Sequence, residues 1–353
     1  MSSPPEKPEF DIQLQFAKGL FNFYYAQLFV TPPRPSGSFA GQTVIVTGAN
    51  VGLGLEAARH FYRLGCARLV LAVRTVAKGE AAKEDIVRSA PTRSDGADAI
   101  AVWPLDLAST PSTLDFAARV RAELPRLDIL VENAGIVQKR WVLAEGFEST
   151  IQVNVLNTFL LALELLPSLD KTKAEFSDAS PRLVVVSSDA HRMTRLAEIN
   201  AASVYDKLND QLCWNGEERY AVSKLLEVLF VREMVARLNE ARDDSPPPTV
   251  ITLVHPGLCK STFDYRDGQT PSLSLRLMRW LMERTTEVGG RTLVLGATTG
   301  PDAHGEYIAD GKTTDVESWI YQDVGRRAQR KVFEQTMAIL EQRKPGIAAT
   351  ARL

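Results

Sequence analysis

Tyr220 and Lys224 stand four residues apart in the run Tyr220-Ala-Val-Ser-Lys224, a spacing that puts a phenol and an ammonium on one face of a helix. A cation beside a phenol favours the phenolate and lowers the phenol pKa, so such a pair can hand a proton to a substrate oxygen near neutral pH. Ser188 closes the apolar run RLVVVSS (182–188). There it stands at the C-terminal end of a strand, where open α/β sheets hold their ligands. Its hydroxyl can hydrogen-bond an oxygen that is gaining charge. A proton donor and an oxyanion partner suit the interconversion of a carbonyl and an alcohol, provided that a cofactor supplies the hydride.

A place for that cofactor precedes them. The β-branched run TVIVTGA (43–49) leads into Thr47-Gly48-Ala49-Asn50-Val51-Gly52-Leu53-Gly54 and then into a helical pattern. Glycines allow a tight turn and close approach of a pyrophosphate, and the helix N-terminus offers free N–H groups. The alternative is an ordinary strand-to-helix turn; the strand–loop–helix setting favours the phosphate site. The next strand ends Ala72-Val73-Arg74-Thr75. An acid about 20 residues past the glycines would hold the ribose hydroxyls of NAD. Val73 occupies that place and Arg74 comes next. A guanidinium suits the 2′-phosphate of NADPH/NADP+, and Lys78 can add a second charge. The competing reading makes Arg74 a solvated loop residue.

The elements that would position these groups keep a strand–helix rhythm from residue 41. Strands are expected at 43–49, 68–74, 99–106, 127–135, 182–188, 249–257 and 305–310, with helices near 55–65, 77–89, 111–124, 145–169 and 218–241. Short apolar runs between helices mark a parallel sheet buried on both faces. The expectation is a doubly wound α/β Rossmann fold, a parallel sheet of about seven strands with helices on both faces. One domain would span 41–345, and the Pro-rich break DDSPPPT (243–249) would be a surface loop within it. Residues 1–40 form an aromatic-rich extension and a linker. Its segment 10–30 reads as a helix or two docked on the body, against the alternatives of an interfacial anchor or a dimer contact.

Bulk properties narrow the function. With 353 residues, 45% hydrophobic and 24% charged, the chain can bury a sizeable core. A net charge of −2 and no long basic run argue against nucleic acid. Cys66, Cys213 and Cys259 form no CxxC pair, and His60, His191, His255 and His304 match no zinc motif, so no metal is expected. A reducing, cytoplasmic setting is the plain reading. No signal peptide and no run of about 18 apolar residues is seen.

Taken together, the motifs resemble those of the short-chain dehydrogenase/reductase family over roughly residues 41–310. Thr47, Gly48, Gly52 and Gly54 match its cofactor loop, with Asn50 and Leu53 between them. The resemblance implies that Asp106, in Leu105-Asp106-Leu107, contacts adenine, and that Asn133-Ala134-Gly135 lies beside the cofactor. It implies a catalytic tetrad of Asn154, Ser188, Tyr220 and Lys224, in which Asn154 steadies a water and Lys224 also binds ribose hydroxyls. Pro256-Gly257 with Ser261 match the loop that touches the nicotinamide amide. Glu132 departs from the usual asparagine, and Asn157 replaces a common glycine. The 31 residues between Ser188 and Tyr220 are more than is usual, as in the retinol-dehydrogenase-like subgroup. Similarity extends to fungal reductases of secondary metabolism.

The resemblance implies an NADPH-dependent enzyme acting on a bulky, largely apolar ketone or aldehyde, as a homodimer or homotetramer. The alternatives are a non-catalytic NADP-binding scaffold and an epimerase using the same tetrad. Segments 189–219 and 262–284 flank the cleft as lids. Met193, Trp214, Phe263, Leu277 and Trp280 either pack those lids on the body or line a roomy apolar pocket.

Overall fold

The β-branched runs do become buried strands. In the computed structural model, which describes residues 8–93, 95–242, 246–260 and 282–353, β1 (Thr43–Thr47), β2 (Arg68–Val73), β3 (Ile100–Pro104) and β4 (Ile129–Glu132) come first. A two-residue hairpin, β5 (Leu143–Ala144) with β6 (Phe147–Glu148), stands apart. Next in the chain are β7 (Arg182–Val186), β8 (Val250–His255), β9 (Tyr307–Ala309) and β10 (Lys312–Thr314). The main sheet has the order β10-β9-β8-β7-β4-β1-β2-β3. Seven of its strands run parallel, and β10 pairs antiparallel, on β9. The expected seven parallel strands are all present; the short edge strand is an addition that the sequence pattern did not mark.

Strands buried on both faces need two cores. Ile45, Val70, Leu130 and Val185 face one, shared with the helices Ser149–Glu175 and Arg219–Glu240. Val44, Val46, Leu69, Val131 and Val184 face the other, shared with the helices Gly52–Arg63 and Thr286–Gly296. Ser149–Glu175 is the one helix among the described residues long and apolar enough to cross a membrane. Its apolar window is fully buried, which makes it the central helix of the first core. The helices Thr286–Gly296 and Asp323–Arg343, unmarked by the sequence pattern, complete the layers, and Ile347 and Ala351 still belong to the core.

The N-terminal extension is part of this body, not an appendage to it. Phe10 and Ile12 are buried in the first core. The Phe10 N–H donates to Asn200 Oδ1 at 2.9 Å, and the Gln15 N–H to Glu317 at 2.6 Å. The helix Phe16–Phe29 then leaves Phe21, Tyr25, Leu28 and Phe29 exposed on its outer face.

Candidate active site

The C-terminal ends of β1, β2, β4, β7 and β8 open on one edge of the sheet, and a cavity of about 1210 Å³ lies over it. A single small-molecule pocket holds roughly 300–1,000 Å³, so this space suits a cofactor together with a substrate. Gly48, Asn50, Gly52, Leu53, Arg74, Lys78, Asp106, Leu107, Asn133, Ala134, Gly135, Ser188, Tyr220, Lys224, Pro256 and Gly257 all line it. Residues scattered over more than two hundred positions thus converge on one surface. Ser261, and the lid residues Phe263, Leu277 and Trp280, lie outside the described residues.

Three of the residues singled out by sequence support the wall without lining the cavity. Thr47 is fully buried, and its hydroxyl accepts the N–H groups of Asn133 and Ala134, each at 2.9 Å. It joins the glycine loop to the Asn133-Ala134-Gly135 turn. Gly54 packs so closely that a Cβ there would meet Asn133 Nδ2 at 2.4 Å and the Gly48 carbonyl at 2.7 Å. Gly48 itself has φ +66°, in the left-handed region glycine tolerates. Asn154 sits on a π-helical turn, Gln152–Asn157, of the kind often found at functional sites. Its carboxamide accepts the Ile136 N–H at 2.8 Å and donates to the Ile136 carbonyl and to Ser223 Oγ, each at 3.0 Å. It thereby fixes the turn below Gly135 and the helix that carries Lys224.

The two departures from the family pattern have clear local roles. Asn157 donates to the Leu107 carbonyl at 2.9 Å and accepts from Arg343 at 2.9 Å, which ties the loop after β3 to the Asp323–Arg343 helix. Glu132 is buried at the end of β4 with Thr47 Oγ1 at 3.3 Å, and burial pushes its carboxyl up to about 8. It is therefore held neutral beneath the glycine loop.

The residues just after Ser188 hold it in place. Its Oγ accepts the Ala190 N–H at 3.2 Å, and its own O–H has no acceptor among the described residues. His191 Nδ1 lies 2.8 Å from the Ser188 carbonyl, and burial pushes His191 down to about 3, leaving a neutral ring. Next door, the Asp189 N–H donates to His255 Nδ1 at 3.3 Å, and Arg192 Nε to Asp189 Oδ1 at 3.2 Å. Burial opposes the charge on Asp189, but His255 and Arg192 hold its carboxyl at about 2. Arg192 also donates to Glu317 at 3.2 Å, the carboxylate that anchors Gln15.

Lys224 is nearly buried. Its Nζ donates to the Val186 carbonyl at 2.9 Å and to Glu227 Oε1 at 2.7 Å, and lies 5.6 Å from the centre of the Tyr220 ring. At the opposite end of the cavity, Arg74 and Lys78 are exposed, and neither side chain has a hydrogen bond or ion pair among the described residues. Between them begins the helix Val76–Arg88.

Part of the cavity wall was not foreseen from sequence: Gly19, Phe23 and Tyr24 of the N-terminal helix line the cavity, with Val142 and Leu143 at the start of the hairpin, while Met193, a candidate pocket residue by sequence, also lines it. Trp214 instead packs edge-on against Trp141, centroids 6.0 Å apart. The Gln27 side chain bolts the helix down: it accepts the Leu258 N–H at 3.0 Å and donates to the carbonyls of Leu258 at 3.0 Å and Met282 at 2.7 Å. Arg284 donates to the carbonyls of Ala26 and Val30 at the helix end, at 2.9 and 3.0 Å. The density of aromatics in 10–30 was the available signal, but long-range amide-to-backbone bonds leave no trace in sequence.

A glycine loop after β1, a serine after β7 and a Tyr-Lys pair lining the same cavity define a dinucleotide-dependent dehydrogenase-type site on a Rossmann sheet. A family model, short chain dehydrogenase, matches residues 42–203. The short chain dehydrogenase/reductase dmxR8 of Cryptosporiopsis sp. is 41% identical over 93% of this chain and 99% of its own length. The short-chain dehydrogenase anuD of Penicillium roqueforti is 39% identical over 98% and 88%. Among solved structures, the oxidoreductase yciK from E. coli superposes with a TM-score of 0.57, at 21% identity over 78% of this chain and 98% of that one. An NADPH-bound carbonyl reductase from chicken fatty liver gives 0.55, at 21% identity over 78% and 99%. These two share the fold. The chain belongs to the short-chain dehydrogenase/reductase family, a family of oxidoreductases.

Proposed function

We propose that this protein is an NADPH-dependent reductase that interconverts a carbonyl and an alcohol on a bulky, largely apolar substrate of the polyketide or other secondary-metabolite type. The carrying observation is that Ser188, Tyr220 and Lys224 line the same cavity as the glycine loop, with two cations unpartnered among the described residues at its far rim. The residues fit the cofactor. Arg74, Lys78 and the start of the Val76–Arg88 helix offer positive charge where a 2′-phosphate would lie, and no acid directly after β2 claims a ribose hydroxyl. When bound, the nicotinamide supplies the hydride. Tyr220 delivers the proton to the substrate oxygen, Ser188 donates its O–H to that oxygen, and Lys224 places positive charge under the phenol. Asn154 ties the turn at Ile136 to Ser223 on the helix that carries Tyr220 and Lys224.

The apolar wall of Phe23, Val142, Leu143 and Met193 supports a large substrate, and the fungal origin of the similar proteins supports a secondary-metabolite one. The reading includes a cytoplasmic setting, supported by three free thiols, and a homodimer or homotetramer, supported by the exposed aromatic face of the N-terminal helix. The test is oxidation of NADPH by the full-length protein against a panel of bulky ketones and aldehydes. No turnover across the panel, with NADPH bound, would favour a scaffold.

Two further outcomes are expected. Ser188→Ala removes one hydrogen bond to the developing charge, so turnover falls by about 10²–10³ with little change in NADPH binding. Steady-state kinetics beside a fluorescence titration of NADPH separate the two effects. Phe23→Ala takes an aromatic wall from the substrate, so kcat/KM for a bulky ketone falls about tenfold. A small ketone should be scarcely affected; an equal loss on both would remove Phe23 from the substrate wall.

A further inference from the structure

We propose that Glu227 is a positioning residue for Lys224, holding the lysine ammonium charged and in place beneath Tyr220; the inference rests on the tetrad reading above. The helix Arg219–Glu240 puts Tyr220, Lys224 and Glu227 on successive turns of one face, at spacings of four and three. Glu227 is 2% exposed and Lys224 6%. In the run Lys224-Leu-Leu-Glu227-Val-Leu-Phe-Val231 every residue is buried, so a carboxylate here stands amid hydrocarbon. Such a position is expensive for a lone acid and equally so for a lone ammonium. Each offsets part of that cost for the other through the 2.7 Å contact between Nζ and Oε1.

The geometry also accounts for the lysine's donors. An ammonium has three N–H bonds. The Val186 carbonyl at 2.9 Å and Glu227 at 2.7 Å take two, from the end of β7 and from the next turn of the same helix. These two fixed acceptors clamp the side chain and leave one donor for the cavity that Lys224 lines. Burial by itself would pull the lysine pKa down, but Glu227 and Tyr220 outweigh it and raise it. Among the described residues, Lys224 is the charged group that acts on Glu227, and Ser187, just after β7, is the polar side chain that reaches it from another element; burial pushes the Glu227 carboxyl up to about 7 against their pull, so its negative charge is complete above neutral pH, where the alkaline limb lies. Glu227 touches neither the cavity nor any atom that would react. Its action is through Lys224.

The carboxylate has a second consequence. Its negative charge stands behind the ammonium as seen from Tyr220, so it tempers the pull of Lys224 on a phenolate. Removing that charge lowers the pKa of Lys224 and of Tyr220 together. Carbonyl reduction needs the phenol protonated and the lysine charged, and both conditions are lost as pH rises. The two effects therefore act on the alkaline limb of the pH profile with the same sign.

The test compares Glu227→Gln, Glu227→Asp and wild type in NADPH-dependent ketone reduction. Gln keeps the volume and an acceptor oxygen but loses the charge. Its alkaline limb in kcat/KM should move down by about one pH unit. Its NADPH dissociation constant should rise, and Asp should restore most of both. A Gln enzyme with the wild-type profile and NADPH affinity would overturn the proposal and make Glu227 a filler of the core. If Glu227→Gln does not fold, the double variant Lys224→Met/Glu227→Gln decides. Recovery of folding shows that Glu227 is needed because of the charge on Lys224, and continued misfolding overturns the idea. Lys224→Met at full activity would instead refute the tetrad reading, whatever Glu227 does.

Discussion

Tyr220→Phe should cut turnover by about 10²–10⁴, the usual worth of a positioned general acid, while NADPH binds as tightly as before. The substitution removes one oxygen and keeps the ring. The ring lies beside Lys224, with Nζ 5.6 Å from its centre, and Lys224 remains clamped by Val186 and Glu227. The part of the cavity wall made by Gly48, Gly52, Asn133 and Arg74, proposed to hold the cofactor, is contributed by other elements. Loss should therefore fall on the chemical step, which separates this variant from Lys224→Met, where cofactor affinity should suffer too. The pH profile gives a second check. Wild-type kcat/KM should fall as pH rises through the phenol pKa, because the proton donor disappears; the residual activity of the Phe variant should lack that limb. Single-turnover rates and an NADPH titration read both quantities. A Phe variant with wild-type turnover would show that the chemistry lies elsewhere.

The groups that would carry out this reaction were legible in sequence because each belongs to a local pattern. The Tyr220–Lys224 spacing is a helical fact, and Gly48, Gly52 and Gly54 mark a turn that only small residues can make. The strands showed themselves as β-branched runs, since a strand covered on both faces has no polar alternation to confuse it. Local patterns could not distinguish touching from supporting. Thr47, Gly54 and Asn154 carry the loop and the turn beneath the cavity, and which side of the wall they occupy depends on packing among β1, β4 and two helices. The N-terminal helix was harder still. Its place rests on Gln27 reaching Leu258 and Met282, more than two hundred residues away, through backbone groups that every residue type possesses. Glu227 was overlooked because one acid in an apolar helical run reads as a break in the stripe. Only the neighbouring ammonium gives it a purpose. The Asp323–Arg343 helix, with its strongly polar outer face, comes after the last parallel strand and so fell outside the strand–helix rhythm.

Arg74→Asp should reverse the choice of cofactor. Val73 is buried at the end of β2, paired with Pro104, and the chain turns outward at Arg74. Thr75 and the Val76–Arg88 helix come next, with Lys78 on the first turn of that helix. Two cations with no partner among the described residues therefore meet any group placed beyond β2. A 2′-phosphate brings up to about two negative charges and several acceptors. A hydrogen bond to a charged group contributes about 1.5–3 kcal/mol, which corresponds to roughly 10–150-fold in affinity, towards the lower end at this exposed and salt-screened site. Aspartate removes that contact and adds repulsion, while its carboxylate can accept a ribose hydroxyl of NADH. The ratio of kcat/KM for NADPH over NADH should thus fall by about two orders of magnitude, the sum of one loss and one gain. Stability should hardly change, because Arg74 has no bond to lose among the described residues and surface substitutions cost within about 0.5 kcal/mol. Salt offers an independent reading: raising ionic strength should weaken NADPH binding to wild type far more than NADH binding, and the Asp variant should lose that difference. Wild type using both cofactors equally at matched concentrations would deny Arg74 its role. An Asp variant that keeps the wild-type ratio would move the 2′-phosphate away from the end of β2.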